Sequence, residues 1–151
     1  MTATAHVRRE LSEQELEAWV RFLRAHAAIT RELEPQLAHG HGLTLSDYDV
    51  LVQLAQAPGR RLRPVELARA VILTRSGVTR LVQGLERAGL VERVPSPDDG
   101  RGSLVHLTAE GRDVLRRASR THLAGVRDRF ANRFDDDELR TLSGLLGRLV
   151  A

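Results

Sequence analysis

The sequence predicts a mainly α chain with one small β-hairpin. Apolar residues recur every three or four positions along most of the chain, and helix caps punctuate it. Two short β-type runs flank a stretch rich in turn residues. The first helix opens at Ser12-Glu13-Gln14-Glu15, a capping box in which the serine side chain and Glu15 satisfy each other's free backbone N–H. Leu16, Trp19, Leu23, His26, Thr30, Leu33 and Leu37 then keep one face to about residue 38, with Pro35 expected to kink the last turn. A second helix from Thr44 or Ser46 turns Leu45, Tyr48, Leu51, Val52 and Ala55 inward and stops at Pro58-Gly59. A short helix, 64 to about 70, carries proline at its first position, where the missing N–H costs nothing. The turn Val71-Ile72-Leu73 leads to Thr74, read as the N-cap of a helix over 75–88 that Gly89 closes. Strands at 91–94 and 104–107 enclose the polar linker 95–103. Thr108 caps a long helix of about 109–131, and Asp135 or Asp136 caps a last one.

Two helices a few residues apart, the second followed at once by a hairpin, make a winged helix-turn-helix lobe. The fold class is therefore mainly α with a small β-hairpin wing, the lobe flanked by N- and C-terminal dimerisation helices. In those outer helices Val20, Phe22 and Ile29 lie beside the main row of the first. Leu115, Ala118, His122, Val126 and Phe130 mark the fifth, and Leu139, Leu142, Leu145, Leu146 and Leu149 the sixth. So much apolar surface on so small a chain is expected to be buried in a homodimer, at roughly 25 cal/mol per Å².

The 151 residues contain no cysteine, which removes disulfides, thiol catalysis, thiolate zinc sites and cysteine-based redox sensing together. There is no lysine either, so all 23 basic residues are arginine, and the formal net charge is +3. Its distribution is uneven: residues 1–59 carry −3, residues 60–133 carry +8, and residues 134–151 carry −2. A basic middle between acidic ends fits a chain whose one face meets a polyanion, although a solvated, salt-bridged surface would also carry it. No apolar run is long enough to span a bilayer, and the first ten residues lack the order of a signal peptide. A cytoplasmic location without a membrane partner is expected.

In the helix over 75–88, Val78, Leu81, Val82 and Leu85 form the stripe that faces a core. Arg75, Ser76, Thr79, Arg80 and Gln83 lie opposite, without an acid among them. Arginine can fork onto guanine, glutamine onto adenine, and hydroxyl and methyl groups suit several base edges, so this face is the candidate reader of double-stranded DNA. Asp99-Gly100-Arg101 at the hairpin tip places an arginine where it can enter a narrow minor groove, with Asp99 orienting it or tying down the turn. Arg60, Arg61, Arg63 and Arg69 are candidates for phosphate contacts that set register. An ordinary solvated surface is the competing account of each segment.

The stretch Glu66-Leu67-Ala68, then Thr74-Arg75-Ser76-Gly77-Val78-Thr79-Arg80-Leu81-Val82, Leu85-Glu86-Arg87-Ala88-Gly89-Leu90-Val91-Glu92-Arg93 and Asp98-Asp99-Gly100-Arg101-Gly102, ending in Leu107-Thr108-Ala109-Glu110-Gly111, resembles the MarR family of bacterial transcriptional regulators. The resemblance covers essentially the whole chain. It implies one domain over 1–151, with dimerisation helices at about 11–40 and 109–151 and a DNA-binding lobe at about 44–107. It implies a regulator, more often a repressor than an activator, on a pseudo-palindromic operator. A small effector, often an aromatic acid or phenol, would weaken DNA binding from a pocket between the outer helices and the lobe. Carried onto this chain, the recognition positions are Ser76, Thr79, Arg80 and Gln83, and the wing arginine is Arg101. Gly100 stands where many relatives have a second arginine, so this wing has less to offer a phosphate.

Trp19, His26, Tyr48 and His122 are the candidate ligand-binding residues, with plain packing as the competing use of each. A metal-responsive regulator of the same fold, holding zinc through histidines of the outer helices, is the alternative function; His39-Gly40-His41 is a weaker signal of the same kind. No metal site or cofactor is expected. Gly-x-Ser-x-Gly, a phosphate-cradling glycine loop and His-Glu-x-x-His are all missing from the sequence, which argues against an enzyme.

Overall fold

The computed structural model describes residues 10–73, 76–98, 100 and 102–150. Helix α1 (Glu13–His41) starts in the expected capping box, with Ser12 N–H donating to Glu15 at 2.7 Å and Glu15 N–H to Ser12 Oγ at 3.2 Å. It continues through Pro35 and ends three residues beyond the expected point, at Gly42, whose φ of 66° only glycine adopts freely. Helix α2 (Leu45–Gln56) opens in a second capping box, Thr44 with Asp47. Its inward face differs from the expected one. Asp49, Val50, Leu51 and Leu54 are buried with Leu45, whereas Tyr48, Val52 and Ala55 are only partly covered.

After α3 (Pro64–Ala70), helix α4 runs over Val78–Arg87 and is shorter than the 75–88 expected. Gly77 sits in the left-handed region at φ 79°, which breaks the helical path, so Ser76 lies in the turn before α4 and not on it. Thr74 and Arg75 fall outside the described residues. Val78, Val82 and Leu85 are buried as expected, and Leu81 packs beside them.

The hairpin consists of β2 (Val91–Pro95) and β3 (Ser103–Leu107), antiparallel, with Val91 opposite Leu107 and Arg93 opposite Val105. A third strand, unforeseen in the sequence, is β1 (Arg61–Leu62). It pairs with the other edge of β3 and gives the sheet order β1-β3-β2. Two residues are too few to show an alternating pattern, and their pairing partner lies more than forty positions away.

Helix α5 (Ala109–Arg129) is capped by Thr108, and α6 (Asp136–Val150) follows a short 3₁₀ turn, with Asp135 and Glu138 in reciprocal cap hydrogen bonds. Helices α1 and α5 pack closely where Gly125 has no side chain: a Cβ there would lie 2.5 Å from Gln36 Oε1 and 2.8 Å from Leu33 Cδ2. Arg129 Nε holds Glu32 at 2.7 Å across the same pair. Leu115 and Ala118, expected on an assembly face, are instead buried in the chain's own core with Leu33 and Leu37. Periodicity gives the apolar face of α5 but does not say which neighbour covers it.

Gly111 makes the tightest approach. A methyl group there would overlap the Leu90 carbonyl oxygen and press on Leu107 Cδ1 at 2.7 Å. Both contacts are with the end of the lobe that must stay registered on α5. Gly111→Ala is therefore expected to cost about 1–3 kcal/mol by overpacking, read as a lower urea midpoint at unchanged slope. An unchanged midpoint would mean that α5 slides freely at this contact.

Candidate nucleic-acid interface and adjoining cavity

Helix α4 offers its outer face because its other side is fixed inside. Val78, Val82 and Leu85 point into the core, which leaves Thr79, Arg80 and Gln83 exposed together, with Ser76 exposed just before them. Arg69 on α3 is exposed, and Arg63 is half-buried, with Nη2 at 3.5 Å from Ser96 Oγ. That contact ties the start of α3 to the loop at the hairpin tip. Arg93 reaches back from β2 to Glu86 at 3.5 Å, so the acid at the end of α4 already has a cation beside it. At the hairpin tip Ser96 is buried and its N–H donates to the Gly102 carbonyl at 3.0 Å, which closes the loop. Asp99 and Arg101 lie outside the described residues.

Asp49 was not singled out from the sequence. It is 7% exposed on α2, and its Oδ2 accepts the backbone N–H groups of Ile72 at 2.6 Å and Leu73 at 3.0 Å. Its Oδ1 accepts from Gln53 at 3.1 Å. The carboxylate accepts two N–H groups of the turn between α3 and α4 and ties that turn to α2. An acid inside an otherwise apolar helix row was the available signal. At the other end of α4, the Thr108 hydroxyl reaches the Gly89 carbonyl at 2.7 Å while Thr108 N–H donates to Leu90 at 3.1 Å.

Beside Asp49 lies a cavity of about 290 Å³ between α1, α2, α5 and the turn before α4. His26, Tyr48 and His122, from three helices, all line it, together with Ile72 and Leu73. The Tyr48 and His122 rings stand 4.5 Å apart, and the Tyr48 hydroxyl meets Ser119 Oγ at 3.1 Å. Trp19, the fourth candidate, is not part of this cavity. It lies two turns before His26 on α1, 53% exposed, against Phe22 at 6.1 Å between ring centroids. The geometry also bears on zinc: among the described residues no three of His, Asp and Glu come together as a metal site. His41, one of the weaker candidates, is 2.8 Å from Thr121 Oγ1, between α1 and α5.

The model of the MarR family matches residues 41–102. AbsC, a MarR family transcriptional regulator from Streptomyces coelicolor, is 32% identical and superposes with a TM-score of 0.85 over 94% of this chain and 95% of its own. Sco3205, from the same organism and solved in complex with DNA, is 36% identical, with a TM-score of 0.85 over 94% of this chain and 89% of its own. YetL of Bacillus subtilis (strain 168), a transcriptional repressor, is 30% identical over 80% of this chain and 74% of its own length. The chain belongs to the MarR family. It is a DNA-binding transcriptional regulator, not an enzyme. No helix among the described residues is long and apolar enough to cross a membrane.

Burial holds the His122 imidazole below its ordinary pKa, because the cavity wall disfavours the charged ring. The unfolded chain takes up a proton near the ordinary value of about 6.5 that the folded chain resists. Stability is thus full above that value, falls as pH drops through it toward the lower folded pKa, and levels off below. His122→Phe is expected to lose less melting temperature than the natural chain between pH 7.5 and pH 5 in calorimetry. Parallel pH profiles would mean that His122 titrates as freely in the fold as in the unfolded chain.

Proposed function

We propose that the chain is a repressor that reads a pseudo-palindromic operator as a homodimer and is released by a small ligand. The observation that carries the reading is the outer face of α4, where Thr79, Arg80 and Gln83 share one exposed side and Glu86, the one acid of the helix, lies in its last turn with Arg93 beside it at 3.5 Å. Ser76 borders this face, and Arg63, just before α3, and Arg69 on α3 are the proposed phosphate contacts, which would fix register without reading sequence. Arg75, Asp99 and Arg101 keep the roles proposed from the sequence, as an outward arginine of the reader and as the wing tip. The wing arginine suits a narrow minor groove.

Dimer formation is supported by α6, none of whose residues is buried within one chain. Its Leu142 and Leu146 face a groove of about 650 Å³ shared with Phe22, Ile29, Phe130 and Phe134. Leu16, Trp19 and Leu23 on α1 and Leu145 and Leu149 on α6 are exposed as well, so both outer helices carry apolar surface that the chain does not cover itself. On this reading residues of about 11–40 and 109–151 make the dimer, and residues of about 44–107 form the DNA-binding lobe. Release by a ligand is supported by the position of the cavity. Its wall includes Ile72 and Leu73, in the connection from α3 to α4, so an occupant would touch the segment that leads to the reader.

Arg80→Ala is expected to weaken operator binding by about 1–3 kcal/mol and to relax base preference at one position in each half-site. Binding to a set of singly mutated operators measures this. Equal losses on operator and random DNA would assign Arg80 to phosphate. Changing Leu142 and Leu146 together to Asp is expected to abolish the dimer, seen in sedimentation as monomer or aggregate. A soluble double variant that stays dimeric and binds operator normally would exclude α6 from the interface.

A further inference from the structure

The basic middle of the chain is larger than the lobe that meets DNA. Residues 60–133 carry +8, and half of that excess, +4, lies in residues 109–133, beyond the hairpin. None of the arginines there belongs to the reading face or to the register contacts. Four of them fall in the first half of α5. Arg112, Arg116 and Arg120 recur every four residues and stack along one side of the helix, with Arg117 beside them. All four are exposed, because Gly111, Leu115 and Ala118 bury the opposite side. Within the chain this strip is unfavourable. Arg112 with Arg116, and Arg116 with Arg120, are like charges one turn apart, and Arg112 lies near the positive end of the helix, where a cation is disfavoured. Arg116 has an acid beside it, Asp113 at 2.7 Å, but Arg112, Arg117 and Arg120 have none among the described residues.

Composition separates this strip from the surface that suits a second copy. No large apolar side chain is exposed on α5 up to Arg120, whereas Leu123, one turn further on, is 58% exposed. The apolar surface of the outer helices thus begins where the strip ends. Four cations without apolar company suit a polyanion, and the polyanion that this chain binds is DNA. We infer that the arginine strip of α5 is a second DNA contact, which holds the phosphate backbone independently of sequence and apart from the base-reading face of α4. A guanidinium fork matches phosphate oxygens, and each phosphate it neutralises releases counterions. The strip therefore adds affinity that falls steeply with salt and carries no base preference. The inference rests on DNA binding alone and is independent of operator symmetry and of any ligand.

A variant with Arg112→Gln, Arg117→Gln and Arg120→Gln removes the three arginines that have no acid partner and keeps a good helix former at each position. Its binding to a fluorescent random-sequence duplex of roughly 40 bp is followed by anisotropy between about 50 and 300 mM NaCl. A charge-matched variant, Arg24→Gln, Arg31→Gln and Arg148→Gln, makes the same change at exposed positions of α1 and α6 and corrects for net charge. The strip variant is expected to give a log–log salt slope shallower by about one unit or more per chain, with affinity at low salt at least about tenfold weaker. The charge-matched variant is expected to shift the slope far less, and both are expected to sediment and melt as the natural chain does. A strip variant with the natural slope overturns the inference and leaves a solvated helix face. Equal effects of the two variants also overturn it, because net charge then explains the loss. A strip variant whose oligomeric state changes overturns it in favour of contact with a second copy. If the triple variant melts lower, Arg120→Gln alone repeats the test, with a slope change of about 0.9 expected for one lost phosphate and none if the inference is wrong.

Discussion

Backbone N–H groups in a tight turn between two short helices need acceptors, and here a side chain in the core supplies them. Asp49 reaches out of α2 to hold Ile72 and Leu73, the last described residues before the turn into α4. Two charge-assisted bonds at 2.6 and 3.0 Å fix the path of the chain more firmly than the apolar contacts around it, because the alternative is a buried acid with its partners gone. Everything proposed for the outer face of α4 depends on this anchor. A helix of ten residues has little stability of its own and takes its direction from what holds its ends and its inner stripe.

The far end of α4 is held by a different device. Thr108, which caps α5, also bonds to the Gly89 and Leu90 carbonyls, and Gly111 lets the backbone of α5 approach Leu90 closely. The proposed reading helix is thus fastened to α2 at one end and to α5 at the other. The cavity lies beside the first fastening and is walled partly by α5, through His122. An occupant that shifts α2 against α5 would act on both attachments, which gives the proposed ligand response a physical route. A rigid lobe with an adjustable mounting satisfies two demands at once, a constant reading surface and a movable position.

Features that rest on local chemistry were legible in the sequence. The capping box at Ser12, the proline at the start of α3 and the inward stripe of α4 depend on residues within one or two turns of each other, and each is present; at the second helix the choice between Thr44 and Ser46 falls to Thr44. Of the four residues named as ligand-binding candidates, His26, Tyr48 and His122 line one cavity and Trp19 does not; spacing along single helices could not show which of them meet. What escaped depends on long-range pairing or on a single backbone angle. Strand β1 exists only because β3 lies beside it. Gly77 starts α4 by turning left-handed where a serine–glycine pair looks like helix. Asp49 interrupts an apolar row, but its partners are N–H groups more than twenty positions away, which no local pattern names. Leu115 and Ala118 have the spacing of an interface row and the burial of a core.

Amide hydrogen exchange at Ile72 and Leu73, measured residue by residue by NMR on the DNA-free protein, tests the anchor most directly. If Asp49 holds the turn, both amides exchange only when the lobe opens, as slowly as the helical amides of Leu67 and Val71 beside them. Exchange at the rate of exposed turn backbone would contradict the account. The carboxylate would then not be what places α4, and the face proposed to read DNA would owe its position to the apolar stripe alone.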